Sequence, residues 1–423
     1  MQHTIALCRS LLSERGEVSG GRLATEALAA FKALDEDSQA LFFDVVAAEF
    51  SPDPAEVGRA AEAYRADASA QNLERLLRIV EPPRQELFRR LNMAPDGTRA
   101  LVEMRRQLLR HIGARPQWAA IESDLVHLLN SWFNRGFLVL RRIDWGTPAL
   151  ILEKLIGYEA VHQIHGWQDL RRRLERDRRC YAFFHPALPD DPIIFVEVAL
   201  THGTSSKVQP LLDPTAPVVD PKKANCAVFY SITNCQEGLR GVPFGNFLIK
   251  KVAEDLGQEL PQIRTFATAS PVSGFRGWLE KTASSHAKDP KWAELAELVP
   301  KLAGPDWLND KPEIAKRELL PLCAYYLLHA RQGKEPLDSV ARFHLRNGAR
   351  LERINWLGDT SAAGLERSAG LMVNYIYRLA DVERNHELYM KQYKIAASHQ
   401  IASLARESLF LRRDSSQQVR TPA

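Results

Sequence analysis

Apolar residues in the first ninety positions recur at three- and four-residue spacing between polar ones. Ala27, Phe31 and Leu34 follow this pattern, which places apolar side chains on one face of a helix. Turn signals interrupt such segments, the last of them in NMAPDGT at 92–98. The pattern predicts an all-helical domain over residues 1–95, used for oligomerisation or support, and a second domain over residues 96–423.

Helical spacing continues from residue 98 to residue 174 and includes the aromatic-bearing segment WFNRGFLVLRRIDW at 132–145. The period then changes to short β-branched and aromatic runs bounded by Pro, Asp and Gly, which predict strands. The four runs are RCYAFFH at 179–185, IIFVEVALT at 193–201, CAVFYSI at 226–232 and IRTFATA at 263–269. The first two are close enough for an antiparallel hairpin, and the last two enclose a helix-like segment, which predicts a β-α-β unit.

From residue 291 to residue 411 the pattern is helical again, most clearly at 313–330, 337–346 and 363–379. The chain therefore reads as an α+β protein in which a helical domain precedes a sheet domain with extra C-terminal helices.

Composition narrows the choice of function. The 423 residues carry 56 Lys and Arg against 52 Asp and Glu, a balance too even for a protein that wraps nucleic acid, so an anion site must be local. Five scattered cysteines without a CxxC pair predict reduced thiols in the cytoplasm and no zinc site. No apolar run reaches the roughly 18 residues of a membrane span, and the N-terminus lacks the pattern of a signal peptide.

A glycine-containing loop follows the third predicted strand and leads into a helix-like segment. Gln236 and the glycines Gly238, Gly241 and Gly245 belong to it. Glycine lets backbone amides approach a ligand, and a helix N-terminus attracts a pyrophosphate, with Arg240, Lys250 and Lys251 as further positive charges. The spacing matches neither Walker A nor GxGxxG, so an ordinary tight turn is the alternative interpretation.

Two residues are candidates for catalysis. Ser231 lies in FYSIT near the end of a predicted strand, where its hydroxyl would face a cleft at the sheet rim; the alternative is a structural serine. His344 lies in ARFHLRNGAR near the end of a short helix with Asn347-Gly348 as a C-cap, and Asp338 is a candidate to orient its ring. The alternative for His344 is a histidine satisfied by its surroundings.

Other polar groups point less clearly to chemistry. His162 and His165 lack a carboxylate at metal-ligand spacing, so no metal site is predicted. The arginine-rich segment at 171–179 either meets phosphates or, with its interleaved acidic residues, forms a solvated helix face. Glu197 interrupts an apolar strand and is either paired within the sheet or exposed toward a site.

Eight segments, in order along the chain, together resemble the malonyl-CoA decarboxylase family. They are LLNSWFNRGFLVLRRIDW at 128–145, LEKLIGYEAVH at 152–162, RRCYAFFHP at 178–186, VALTHGTSSKVQ at 198–209, VFYSITNCQEGLRGVPFGNFLIKKV at 228–252, SPVSGFRGWL at 270–279, RFHLRNGA at 342–349 and LMVNYIY at 371–377. The N-terminal part resembles the family in class only, as a helical domain used for subunit association.

The resemblance implies a catalytic domain of the N-acetyltransferase-like (GNAT) fold that converts malonyl-CoA to acetyl-CoA and carbon dioxide. It implies no metal and no cofactor beyond the coenzyme A of the substrate, and a homo-oligomer, with a tetramer expected. The metabolic role is open between malonate use, fatty-acid supply and removal of malonyl-CoA.

The resemblance also assigns residues. Ser231 and His344 fall on the family's catalytic serine and histidine, with His344 expected to protonate the enolate carbon because the ordinary pKa of histidine is about 6.5. Tyr375 falls on the MVNY tyrosine, and the loop residues Gln236, Gly238 and Gly241 resemble a pyrophosphate loop. The stretch that contacts acyl-CoA falls on Gly203, Thr204, Ser205, Ser206, Lys207, Val208 and Gln209. His202 and Gly203 stand where animal relatives carry Gly and Asp.

The oxyanion of the enolate needs hydrogen-bond donors. Backbone amides near Thr204 to Ser206, or at the glycine turn after Ser231, are the candidates. Two other functions fit the same cleft. An acyltransferase would release free CoA when an amine is present, and a regulatory acyl-CoA-binding protein would bind malonyl-CoA without turnover.

Overall fold

The computed structural model describes residues 1–13, 15–242, 248–302, 307–310 and 312–411. The chain forms two compact units. The first contains Met1–Val139, Phe183–Ile194 and Asn234–Gly245; the second contains Leu140–Ala182, Phe195–Thr233 and Asn246–Ala423. Each unit is therefore assembled from separate stretches of sequence.

The first unit is mainly helical. Its helices are α1 (Gln2–Leu12), α2 (Arg15–Lys32), α3 (Glu36–Glu49), α4 (Pro54–Ala66), α5 (Ala70–Val80), α6 (Pro83–Leu91), α7 (Gly97–His111) and α8 (Ala119–Trp132). The side chains of Asp35, Asp53 and Ser69 accept hydrogen bonds from the first turns of α3, α4 and α5. These caps satisfy amides that have no partner inside the helix, which explains where the three helices begin.

One apolar core runs through the first unit. The rings of Phe31, Phe42, Phe43 and Trp118 pack against one another in tilted and edge-to-face pairs within it, and α7 and α8 add further leucines. The predicted helical N-terminal region is confirmed. The turn near residue 95 lies between α6 and α7, whereas the compact unit extends to Val139 because α7 and α8 pack on the same core.

Helix α5 differs from its neighbours because it buries none of its residues. Leu73, Leu77 and Val80 lie at helical spacing and are 39%, 63% and 44% exposed. A contiguous exposed apolar stripe of this kind is typical of a surface that contacts another molecule.

The strands form a mixed sheet. They are β1 (Val139–Ile143), β2 (Arg178–Phe184), β3 (Ile194–Thr201), β4 (Cys226–Asn234), β5 (Thr265–Thr268), β6 (Ser270–Pro271), β7 (Arg331–Gln332), β8 (Glu335–Pro336), β9 (Arg350–Asn355) and β10 (Met372–Tyr377). The order in the main sheet is β1-β2-β3-β4-β5-β10-β6, with β9 paired to β10; β7 and β8 form a separate two-stranded ribbon.

The helices of the second unit alternate with these strands along the chain. They are α9 (Ala149–Tyr158), α10 (Trp167–Arg173), α11 (Gln209–Leu212), α12 (Leu248–Glu259), α13 (Phe275–Ser285), α14 (Ala293–Lys301), α15 (Trp307–Asp310), α16 (Pro312–His329), α17 (Ser339–Arg346), α18 (Ala362–Ser368), α19 (Val382–Gln392) and α20 (His399–Arg406). The predicted α+β class, with helices after the sheet, is confirmed. Within the described residues, no helix is long and apolar enough to cross a bilayer.

All four predicted strands are present as β2, β3, β4 and β5. Strands β2 and β3 are neighbours, as the predicted hairpin requires, and β4 and β5 are parallel with α12 between them, which confirms the β-α-β unit. Their pairing runs from Cys226 opposite Thr265 to Phe229 opposite Thr268. Beyond that point β5 ends while β4 continues to Asn234.

Two stretches predicted as helical contain strands. The segment at 132–145 includes β1, and the predicted helix at 363–379 is α18 followed by β10. Ala369 and Gly370 adopt left-handed backbone conformations, with φ of +52° and +75°, and these end α18 before β10 begins. The prediction failed because a short continuous apolar run gives the same signal in a buried strand and in a buried helix.

The two faces of the sheet have different environments. On one face Val228 and Tyr230 pack in an apolar cluster with Val208 and Leu211 from the segment after β3. Because strand side chains alternate, Phe229, Ser231 and Thr233 point to the opposite face. Thr268 shares that second face because it is paired with Phe229.

Candidate active site

His344 is held at the end of a well-capped helix. Helix α17 begins at the N-cap Asp338, whose Oδ1 accepts the amide of Ala341 at 2.8 Å. It ends before Gly348, where φ is +78° and an added Cβ would lie 2.1 Å from the carbonyl oxygen of Val382. Asp338 therefore orients the helix and, contrary to the prediction, makes no hydrogen bond to the imidazole.

Hydroxyl groups contact both nitrogens of the His344 ring. Nε2 lies 2.9 Å from the Ser270 Oγ, and Nδ1 lies 2.8 Å from the Tyr377 hydroxyl. The ring of Tyr375 stacks on the imidazole with centroids 4.4 Å apart and planes inclined by 25°. Tyr375 and Tyr377 are two residues apart on β10, so they point to the same face of the sheet.

A second hydroxyl extends this chain to β5. The Ser270 Oγ donates to the Thr268 Oγ1 at 2.9 Å, and that oxygen also accepts the backbone amide of Tyr375 at 3.1 Å. The Thr268 hydroxyl shares its sheet face with Ser231. The imidazole thus ends a chain of neutral hydroxyl groups that runs toward the strand carrying the serine.

Burial determines the charge of His344. The residue is 2% exposed, and none of the described groups that contact its ring is charged. Loss of solvation disfavours the imidazolium and lowers the pKa of His344 to about 3. The free protein therefore carries a neutral imidazole at pH 7, whereas the solvated histidine with a pKa of about 6.5 that the sequence suggests would still be partly protonated at that pH.

Ser231 lies inside β4 and is 2% exposed, so it is not at the rim of the sheet as the sequence predicted. Its Oγ donates a hydrogen bond of 2.7 Å to Oε2 of Glu159, the residue that follows α9. Thr233, two positions along β4, donates to the same oxygen at 3.3 Å. The other carboxylate oxygen of Glu159 accepts the amides of Val161 and His162 at 2.7 and 2.8 Å.

Ser231 and His344 point to the same face of the sheet but are not hydrogen-bonded to each other. Each has its own partners among the described residues, Glu159 for the serine and Ser270 with Tyr377 for the histidine. The structure therefore brings the two predicted catalytic residues to one face without joining them directly.

The segment from Gly203 to Gln209 is anchored on β9, β10 and the turn after β9. Arg353 donates to the Thr204 hydroxyl at 3.2 Å, and the Asn374 side-chain amide donates to the carbonyl oxygen of Ser205 at 3.0 Å. The amide of Val208 donates to the carbonyl oxygen of Gly358, and Gln209 donates to Asp359. Gly203 has φ of +72°, while Ser206 and Lys207 are exposed.

This anchoring places Val208 against the apolar face of the sheet, opposite the face of Ser231. Thr204 also lines a pocket of about 400 Å³ together with the arginines Arg264, Arg353 and Arg378. The stretch predicted to contact acyl-CoA thus begins beside a basic pocket and ends in the core.

The predicted pyrophosphate loop makes contacts within the first unit. The side-chain amide of Gln236 donates to the carbonyl oxygen of Pro192 at 3.1 Å. A Cβ on Gly238 would lie 1.9 Å from the carbonyl oxygen of Val102 in α7, so only glycine fits there. Gly241 has φ of +82° and open space around it. Gly245 lies outside the described residues.

The charged groups that the sequence left open are structural. Glu197 is paired with Arg173 at 2.8 Å, and both side chains are buried. Arg172 is likewise buried against Asp177, so the arginine-rich segment is not the solvated helix face that its composition indicated. His162 is buried, which lowers the pKa of its imidazole.

Sequence reasoning missed Glu159, Thr268, Ser270 and Tyr377. Two signals were present: Tyr377 follows Tyr375 at the spacing of one strand face, and Glu159 and Ser270 lie within segments that carry the family resemblance. These four residues are distant in sequence from Ser231 and His344 or from one another, so the order of strands in the sheet, and not the local sequence, brings them together.

Comparison with known proteins gives one consistent result. The family model "Malonyl-CoA decarboxylase C-terminal domain" matches residues 136–418, and "Malonyl-CoA decarboxylase N-terminal domain" matches residues 50–133. The mitochondrial malonyl-CoA decarboxylase of Anser anser anser is 37% identical over 383 residues, which are 84% of this chain and 75% of the relative.

Solved structures agree along most of the chain. The crystal structure of malonyl-CoA decarboxylase from Rhodopseudomonas palustris is 51% identical with a TM-score of 0.89, and the one from Agrobacterium vitis is 47% identical with a TM-score of 0.88. Each match covers 95% of this chain and 99% of the solved chain.

Proposed function

Because the chain belongs to the malonyl-CoA decarboxylase family, we propose that it removes carbon dioxide from malonyl-CoA and releases acetyl-CoA. That reaction makes it a carboxy-lyase. The observation that carries the assignment to a site is the buried, neutral His344 at the end of a hydroxyl chain, on the sheet face that also carries Ser231.

The reaction begins with a proton taken up by His344. The malonyl carboxylate is an anion, and an anion brought beside a buried imidazole favours its protonated form. The C–C bond to the carboxylate then breaks, carbon dioxide leaves, and the electron pair forms the thioester enolate. The imidazolium delivers its proton to the enolate carbon and returns to the neutral state. One proton is consumed per turnover, which balances the loss of the carboxylate.

The surroundings of His344 support this cycle. A poorly solvated pocket disfavours the free carboxylate more than the neutral products, and the stacked Tyr375 ring keeps water from one face of the imidazole. Backbone amides of Thr204 to Ser206, or of the turn after Ser231, are the proposed donors to the enolate oxygen. No metal or cofactor beyond the coenzyme A of the substrate takes part in this scheme.

Assembly and location are separate proposals. We propose a homo-oligomer, with a tetramer expected, and the exposed apolar stripe of α5 supports association through the first unit. Binding of the pyrophosphate by Gln236, Gly238 and Gly241 stays a prediction. A cytoplasmic location also stays a prediction, since the curated relatives from Anser anser anser and Rattus norvegicus are named as mitochondrial.

The first experiment incubates the metal-stripped protein with malonyl-CoA and measures acetyl-CoA and carbon dioxide. Equal amounts of both products are the expected result. Release of free CoA only when an amine is added would favour an acyltransferase, and binding without turnover would favour a regulatory protein; either result would overturn the proposal.

The second experiment tests the assigned residues. Ser231→Ala and His344→Asn should each lower kcat by about 10²- to 10⁴-fold, the range expected for loss of a general acid or its partner. Affinity for acetyl-CoA should stay nearly unchanged. Ser284→Ala and His127→Asn replace exposed residues of the same types and should leave kcat unaffected. Equally large losses of binding in the first pair would contradict their catalytic role.

A further inference from the structure

Glu159 is a buried carboxylate that the decarboxylation scheme above does not use. Glu159 is 6% exposed. Its carboxylate accepts four hydrogen bonds, two from backbone amides and two from hydroxyl groups. Among the described residues it has no ion pair. A buried carboxylate without a cation is costly unless its hydrogen bonds compensate, so this arrangement calls for a role.

The carboxylate of Glu159 is fixed in direction. The backbone amide of Glu159 donates to the carbonyl oxygen of Leu155 in the last turn of α9, and Oε1 is held by the amides of Val161 and His162. These three contacts leave Oε2 directed at β4. There it meets Ser231 at 2.7 Å and Thr233 at 3.3 Å.

This contact determines what Ser231 offers to a substrate. A serine hydroxyl has one proton to donate and two lone pairs that accept. When Oε2 of Glu159 accepts that proton, the hydroxyl faces the reaction space with its lone pairs only. A bound carboxylate then receives no hydrogen bond from Ser231 and stays poorly solvated, which is the state from which carbon dioxide leaves most readily. The lone pairs of Ser231 stay available to accept a hydrogen bond from the protonated His344, and this is the contact that Ser231→Ala removes.

We propose that Glu159 is a positioning residue of the decarboxylation, which rests on the proposed function: it holds the Ser231 hydroxyl in one rotamer and keeps its proton away from the malonyl carboxylate. Glu159 acts through Ser231 and does not touch the substrate. Substitution of Glu159 should therefore change kcat and not KM. The effect of Glu159 on kcat should disappear when the Ser231 hydroxyl is absent.

Glu159→Gln tests the direction of the hydrogen bond at nearly constant volume. The amide oxygen must take the place of Oε1, because two backbone amides donate there, so the NH2 group faces Ser231. The serine then accepts from the glutamine, and its own proton becomes available to the malonyl carboxylate. We expect kcat to fall about 10- to 100-fold, as for a misplaced catalytic group, while KM for malonyl-CoA does not rise.

Two further variants make the test specific. In the Ser231→Ala background, Glu159→Gln should change kcat little further, because the group through which it acts is gone. Glu153→Gln is the matched control, an exposed glutamate on α9, and should behave as the wild type. A wild-type kcat in Glu159→Gln, or the full loss repeated in the Ser231→Ala background, would overturn the proposal.

A structural measurement separates this proposal from the proposed function. If the wild type fails to decarboxylate malonyl-CoA, the proposed function is wrong, and Glu159 is then judged by the crystal structure of Glu159→Ala. The Ser231 Oγ should leave its present rotamer once Oε2 is gone. If the hydroxyl keeps its rotamer without the carboxylate, Glu159 does not position it and the inference is wrong.

Discussion

The neutral state of His344 leads to a prediction that can be worked out in magnitude. Burial lowers the pKa of His344 to about 3, whereas an unfolded histidine titrates near 6.5. The difference of about 3.5 pH units corresponds to about 5 kcal/mol. The folded protein therefore binds fewer protons than the unfolded chain between these two pH values.

The sign of the effect follows from this difference. Well above pH 6.5 both states carry a neutral His344, and the residue has no effect on the pH dependence of stability. As the pH falls below 6.5 the unfolded state gains a proton that the folded state refuses, so the free energy of unfolding decreases. At pH 4.5 the loss amounts to about 3 kcal/mol and continues to grow down to pH 3.

Two measurements check this prediction. The imidazole nitrogen signals of the protein labelled with ¹⁵N-histidine are followed from pH 8 to pH 4.5, and His344→Gln identifies the signal of His344. That signal should keep the chemical shifts of a neutral ring throughout. In urea unfolding, the wild type should lose more stability than His344→Gln on going from pH 7.5 to pH 4.5. A midpoint near 6.5 for His344 would refute the reasoning from burial.

Three further outcomes are expected. When a malonyl-CoA analogue that keeps its carboxylate but cannot lose it binds the protein, His344 should take up close to one proton from solution. Calorimetry in buffers of different ionisation enthalpy measures this uptake, and binding of acetyl-CoA should cause none. Gly238→Ala should destabilise the first unit by about 1–3 kcal/mol in thermal unfolding, because its Cβ meets the carbonyl oxygen of Val102, whereas Gly58→Ala in open space should not. Leu77→Lys on α5 should reduce the mass found by light scattering if that stripe mediates association, and an unchanged mass would exclude the stripe.

The sequence predicted the parts of the fold whose signals are local. The amphipathic spacing of the first helices and the β-branched runs of β2 to β5 each carry their own periodicity, so their structures were predicted correctly. Strand β10 was missed because its six buried residues follow a helix directly, and an apolar run of that length does not distinguish a strand from a helix. Pairing with β9 and with β5, which is distant in sequence, makes this segment a strand.

The candidate site was predictable to a smaller extent. The motifs around Ser231 and His344 marked two residues, but the depth of their burial and the identity of their partners depend on the order of strands in the sheet. Glu159 illustrates this, since it lies 72 positions before the serine whose proton it accepts. The pKa of His344 was likewise out of reach, because it depends on solvent exclusion by residues from β6 and β10.

The discontinuous first unit has a consequence for protein synthesis. Arg105 in α7 donates to the carbonyl oxygens of Gly238 and Arg240, and Gly238 lies 133 positions further along the chain. A ribosome that adds about 5–20 residues per second needs roughly 7 to 27 s to supply those acceptors after Arg105 has been made. During that interval the loop that covers α7 has not yet been made. Of the partners of the Arg105 guanidinium, only the Glu122 carboxylate is then present. The helical unit is therefore completed late in translation, although its first residue is the first to be made.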